Sequence, residues 1–103
     1  MGKTKIMLCC GAGFSSGFLA QKTRQAAKKQ GLDVQVDARS ESQVTQYLND
    51  IDFLLLGPHY ASQLSTYEKL AAGHDIKVAV IPQKIYGALN GQELLEFVKD
   101  LAD

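Results

Sequence analysis

Short apolar runs and longer amphipathic stretches alternate along this chain. Lys5-Ile6-Met7-Leu8-Cys9, Val34-Gln35-Val36, Asp52-Phe53-Leu54-Leu55-Leu56 and Lys77-Val78-Ala79-Val80-Ile81 are strand-length and bounded by turn residues. Helical spacing fills the intervals. Phe18, Leu19, Thr23, Ala26 and Ala27 recur on one face of a first helix, Lys22, Arg24, Lys28 and Lys29 fill much of the other, and Gly31 predicts its stop. A second helix is predicted from about Ser42 to Leu48, with Val44, Tyr47 and Leu48 inward. A third is predicted from about Tyr60 to Ala72, with Leu64, Tyr67, Leu70 and Ala71 on one face and Gly73 at its end. Asn90-Gly91-Gln92-Glu93 reads as a capping-box-like start for the last helix, whose apolar face is Leu94, Leu95, Phe97, Val98 and Leu101.

Strands that are apolar on both faces suit a parallel sheet covered by helices on both sides. Right-handed crossovers then favour a three-layer α/β sandwich. The predicted sheet is four-stranded and parallel, with strand order 2-1-3-4. It is flavodoxin-like without a fifth strand, and it carries a Cys loop of the phosphatase kind. Such sheets bind ligands at the carboxyl ends of their strands, beside the switch point next to the first strand.

Composition narrows the class. At 103 residues and 46% hydrophobic content, residues 1–103 make one domain with a core, not a disordered chain. Eleven basic residues cancel eleven acidic ones, so the basic excess of a general nucleic-acid binder is missing. No apolar run approaches the roughly 20 residues of a membrane helix. Ile6-Met7-Leu8 is too short for a secretory signal, and Ile6 stands where myristoylation requires Ser or Thr. The two cysteines, Cys9 and Cys10, are adjacent, which disfavours a bridge between them, and no CxxC spacing offers a zinc site. The expectation is a reduced, cytoplasmic protein without disulfide or metal, monomeric by default.

The predicted switch point falls on Cys10-Gly11-Ala12-Gly13-Phe14-Ser15-Ser16-Gly17. Glycines there let backbone N–H groups approach an anion, and the next helix adds unpaired N–H groups and a positive dipole end. Together these make a phosphate cradle. Ser15 and Ser16 can cap the helix or donate to a phosphoryl oxygen. A thiol at the mouth of the cradle would have a lowered pKa and could attack phosphorus. The same residues also read as an ordinary turn with two small core cysteines before it, and spacing alone leaves both readings open. No Gly-Lys-Ser/Thr closes a Walker motif, and Gly11, Gly13 and Gly17 do not fit GxGxxG. Ser16 stands where a Cys-x5-Arg phosphatase loop has its Arg. Asp50 and Asp52 lack the clustered acids of a phospho-aspartate receiver.

Met7-Leu8-Cys9-Cys10-Gly11-Ala12-Gly13-Phe14-Ser15-Ser16 resembles the N-terminal signature of the IIB components of the bacterial phosphoenolpyruvate-dependent sugar phosphotransferase system, closest to the lactose/cellobiose (chitobiose) class. Leu54-Leu55-Leu56-Gly57-Pro58 resembles that family's third strand and turn, and Ile85-Tyr86-Gly87 with Asn90-Gly91 the stretch after its fourth strand. The resemblance implies a phosphocarrier in which Cys10 is the phosphocysteine nucleophile and the amides from Gly11 to Gly17 hold the phosphoryl group. The donor would be a phosphohistidine on the IIA component. The acceptor would be a sugar held by the membrane-embedded IIC component, a β-glucoside or disaccharide such as cellobiose, chitobiose or lactose. No metal or organic cofactor is implied at this step, and no nucleic acid or insertion into the membrane. Three departures stand out: Gly11 replaces the commoner Ser, Gly17-Phe18 makes an atypical helix start, and His59 stands where Gln is common. His59, after the third strand, and Tyr86 are candidate accessory residues. His74 has no assigned role. The rivals are a low-molecular-weight tyrosine-phosphatase-like enzyme and a non-catalytic flavodoxin-like binding module.

Overall fold

The strands carry apolar residues at successive positions, so each must be covered on both faces. In the computed structural model of the chain, residues 4–9, 14–39 and 43–102 are described, the side chains of 14–16, 59 and 102 excepted. The strands are β1 (Thr4–Cys9), β2 (Val34–Arg39), β3 (Phe53–Leu56) and β4 (Lys77–Val80). They form one parallel sheet in the order β2-β1-β3-β4, as the sequence predicts. Ile6 stands in register with Val36 and Phe53, and Cys9 with Arg39 and Leu56.

Successive side chains point to opposite faces of a strand. Ile6, Leu8, Val36, Phe53 and Leu55 enter one core with Leu19 and Ala20 of α1 (Phe14–Lys29) and Leu94 and Val98 of α5 (Gly91–Ala102). Met7, Cys9, Leu54 and Leu56 enter a second core with Val44 of α2 (Val44–Tyr47) and Tyr67 of α3 (Leu64–Ala71). These two cores, one on each side of the sheet, are the three-layer sandwich.

Local chemistry sets the ends of the helices. After α1, Leu32 N–H donates to Ala27 O at 2.9 Å and Gly31 N–H to Lys28 O at 3.1 Å. Gly31 sits at φ +70°, the left-handed residue this double closure needs. Gly73, at φ +89°, ends the turn after α3. Lys77 Nζ donates to Leu101 O in the last turn of α5.

Three elements differ from the sequence expectation. The first helix begins at Phe14, so residues 14–17 are its first turn instead of part of a loop. The third begins as a 3-10 turn over Pro58–Gln63, with Pro58 in its first turn, and becomes α-helical only at Leu64. An additional helix, α4 (Gln83–Ala88), follows β4 directly. It ends on Leu89 at φ 52°, a left-handed position more often given to glycine or asparagine.

β2 is an edge strand. Thr4 N–H donates to Asp33 O at 3.2 Å, so alternate carbonyls from Asp33 face β1 and that of Val36 points away. Arg24, on α1, donates to Val36 O at 2.6 Å.

The first turn of α5 lies against the backbone of α1. A Cβ built on Gly91 would lie 2.3 Å from the carbonyl carbon of Lys22 and 2.4 Å from the N of Thr23. Only a glycine lets α5 seat its first turn directly on the α1 backbone. Asn90 secures that turn, its Oδ1 accepting from Glu93 N–H at 3.1 Å. The substitution Gly91→Ala is expected to lower unfolding stability by about 1–3 kcal/mol through overpacking. Asn90→Ala should cost about 1 kcal/mol through loss of the cap. Urea titrations of both variants, at an unchanged m value, check these figures.

Candidate functional site

The carboxyl ends of β1, β3 and β4 open onto one end of the sheet. β1 ends on Cys9, β3 is followed by Gly57-Pro58-His59, and β4 by Ile81-Pro82 and α4. Gly57 N–H donates to Cys9 O at 3.1 Å, and Ile81 N–H to Leu56 O at 2.8 Å, carrying the parallel pairing into the junctions.

Cys9 is fully buried. Its thiol donates to Tyr67 Oη at 3.9 Å, inside the core between the sheet and α3. A thiol held this way is a packed side chain at the end of the strand. Cys10, Gly11, Ala12 and Gly13, the expected nucleophile and most of its loop, lie outside the described residues. These four residues join the end of β1 to the first turn of α1. Phe14, Ser15, Ser16 and Gly17 form that turn, where the N–H groups of a helix have no intrahelical acceptor and the dipole is positive. The described backbone therefore brings the strand end and the helix N-terminus together at the predicted switch point.

His59 falls in the 3-10 turn at this same end of the sheet, within Pro58–Gln63. Tyr86, on α4, is half-buried and packs against the core shared with α1 and α5. Tyr60 packs instead against the core that holds Cys9. The two candidate accessory residues thus stand on elements that follow β3 and β4.

One neighbouring surface has no counterpart in the sequence reading. On the α2 side of β2, Gln35, Asp37 and Arg39 line a cleft with Lys5, Tyr47 and Asp50. The Arg39 guanidinium sits 5.0 Å from the centre of the Tyr47 ring, and Gln35 Nε2 donates to Asp37 Oδ2 at 2.9 Å. The alternation Val34-Gln35-Val36-Asp37-Ala38-Arg39 is the signal for this polar face. Among the described residues, no helix is long and apolar enough to cross a membrane.

Comparison with known proteins bears on the same elements. The solved structure of the lactose-specific IIB component domain from Streptococcus pneumoniae superposes with a TM-score of 0.90, covering 99% of this chain and 100% of that one. At 17% identity this likeness shows the fold alone. A galactose-specific EIIB component from Lactococcus lactis subsp. cremoris (strain MG1363) is 30% identical, with 98% of each chain covered. A cellobiose-specific EIIB component from Lactococcus lactis subsp. lactis (strain IL1403) matches at the same identity and coverage. The family model described as "PTS system, Lactose/Cellobiose specific IIB subunit" matches residues 5–97, nearly the whole described chain. The chain belongs to this family of lactose/cellobiose-class IIB phosphocarriers, the phosphotransferase components of the sugar phosphotransferase system.

Proposed function

We propose that Cys10 carries the phosphoryl group, taking it from a phosphohistidine of the IIA component and passing it to a sugar held by the IIC component. The observation that carries this reading is the junction itself. A Cys-Gly-Ala-Gly segment links the carboxyl end of the central strand β1 to the N-terminus of the 16-residue helix α1.

In the first step the Cys10 thiolate attacks phosphorus, a P–S bond forms, and the P–N bond to the donor imidazole breaks. The imidazole leaves as the neutral base once it has taken up a proton. In the second step a sugar hydroxyl attacks phosphorus, a P–O bond forms, and the thiolate of Cys10 departs. The hydroxyl proton passes to a base on the acceptor side. In both transfers, charge on the equatorial oxygens is met by backbone N–H groups from Gly11 to Gly17, with Ser15 and Ser16 as further donors. Positive potential from the start of α1 also favours the thiolate over the thiol. An arginine clamp of the phosphatase kind would promote loss of the phosphoryl group to water. Ser16 in its place suits a carrier whose phosphoenzyme must last until the acceptor arrives. The sugar is a β-glucoside or disaccharide of the cellobiose, chitobiose or lactose type, and the chain acts as a cytoplasmic monomer.

Incubation with phosphoenolpyruvate, enzyme I, HPr and a IIA component is expected to add one phosphoryl group. Intact-mass measurement and peptide mapping should place it on Cys10. Cys10→Ser is expected to abolish the label and Cys9→Ser to retain it; label on Cys9, or none with any IIA tested, overturns the assignment. Steady hydrolysis of p-nitrophenyl phosphate would favour a phosphatase instead. Burial of Cys9 adds a second expectation: iodoacetamide should leave Cys9 unmodified in the native protein and alkylate it in denaturant, as peptide mapping would read.

A further inference from the structure

The outer face of α1 has features that the fold does not use. Gly17 stands in the helical first turn, where a glycine weakens a helix relative to alanine. Among the described residues nothing lies within 4 Å of the Cβ it lacks, so none of them requires a glycine there. This is the opposite of Gly91, whose missing Cβ is filled by the α1 backbone. Next to Gly17, Phe18 is 58% exposed, one of two large hydrophobics left in solvent among the described residues. Behind Phe18 on the same stripe follow Lys22, Gln25 and Lys29, all exposed at helical spacing.

The charge of this face is one-sided. α1 contains Lys22, Arg24, Lys28 and Lys29 and no carboxylate, within a chain whose charges balance overall. Arg24 is committed to the edge of β2, leaving the three lysines outward. A groove beside the stripe, between α1 and the junction of α4 with α5, is lined by Lys22, Gln25, Lys29, Asn90 and Gln92, with no acidic residue among the described residues that line it.

Resting on the phosphocarrier reading above, we infer that the outer face of α1, from Gly17 and Phe18 to Lys22 and Lys29, is the docking surface for the phosphorylated IIA component. Phe18 enters an apolar recess of the partner, the bare backbone at Gly17 permits close approach at the first turn of α1, and the lysines face an acidic rim. Charge transfer favours the donor over the acceptor as occupant. Before the reaction the phosphoryl dianion belongs to IIA and is attracted by the cationic face. Afterwards it sits on this chain, the attraction falls, and the spent donor leaves. A membrane-side acceptor meets the chain only when its own phosphoryl group already offsets these lysines.

The test measures binding in a Cys10→Ser background, where no transfer to Cys10 can occur and the Kd for phosphorylated IIA is read directly by calorimetric titration. Phe18→Ala is expected to raise that Kd about tenfold, as loss of a buried aromatic anchor does. The double variant Lys22→Glu/Lys29→Glu should raise it by a similar factor and flatten its dependence on salt. Gly17→Ala should raise the melting temperature and yet weaken binding, a pairing that a purely internal role for Gly17 does not give. With Cys10 restored, Phe18→Ala and the lysine variant should raise KM for phosphorylated IIA and keep kcat and the alkylation rate of Cys10. An unchanged Kd in Phe18→Ala and in the lysine variant overturns the inference. An unchanged Kd with loss of onward transfer to sugar also overturns it and assigns the face to the IIC component. If phosphate is found on a residue other than Cys10, the carrier assignment fails alone, and the Kd values are then read in a variant lacking that acceptor instead.

Discussion

Burial of both faces of β1 and β3 is the constraint from which the other features follow. Ile6 and Leu8 look one way and Met7 and Cys9 the other, and all four are at most 2% exposed. A strand of this kind has no face to give to water, so helices must lie on both sides of it. A chain that keeps its strands parallel must return each time over one face or the other. Every helix that follows a strand then begins near the carboxyl end of the sheet, with its unpaired N–H groups there. The anion site proposed at the end of β1 is on this reading a by-product of packing, available wherever a strand end meets the start of a helix.

The same constraint separates the two adjacent thiols. The sheet's alternation commits Cys9 to the core beside Tyr67, and its carbonyl is engaged by Gly57. The residue before the proposed nucleophile is therefore held by its ladder, its carbonyl and its side chain. Positional precision at a transfer site rests on such support more than on the reacting group itself. The proposed site draws on backbone N–H groups and needs no net charge, so equal numbers of acids and bases are compatible with binding a dianion there.

Much of this architecture is legible in the residues. The four strands, their order and the Asn90 cap follow from patterns with a direct physical cause: apolar runs of strand length, and an Asn three residues before Glu93. The start of α1 is not legible, because Gly11, Gly13 and Gly17 together look like a loop, while Gly17 is helical. α4 is hidden for a similar reason. Pro82 precedes it, Gly87 lies inside it, and Leu89 closes it in a conformation that leucine seldom adopts. The contact of Gly91 with Lys22 is tertiary, and no local signal distinguishes that glycine from one in a turn. The family resemblance reaches the fold and the class of chemistry. The polar face of β2 and the exposed Phe18 belong to this chain's own solution.

The bond from Arg24 to Val36 has a consequence for crowded solutions. An edge strand offers unpaired carbonyls and amides to any other strand that drifts alongside, and a shuttle that meets partner after partner is repeatedly exposed to that hazard. The guanidinium already occupies one of the carbonyls that β2 turns outward, and it projects a fixed positive charge along the rim. A second copy approaching edge to edge would have to displace this arginine and bring two like charges together. At the β2 edge the molecule carries its own stopper against strand-to-strand pairing, a side chain lent by the helix that begins at the proposed site.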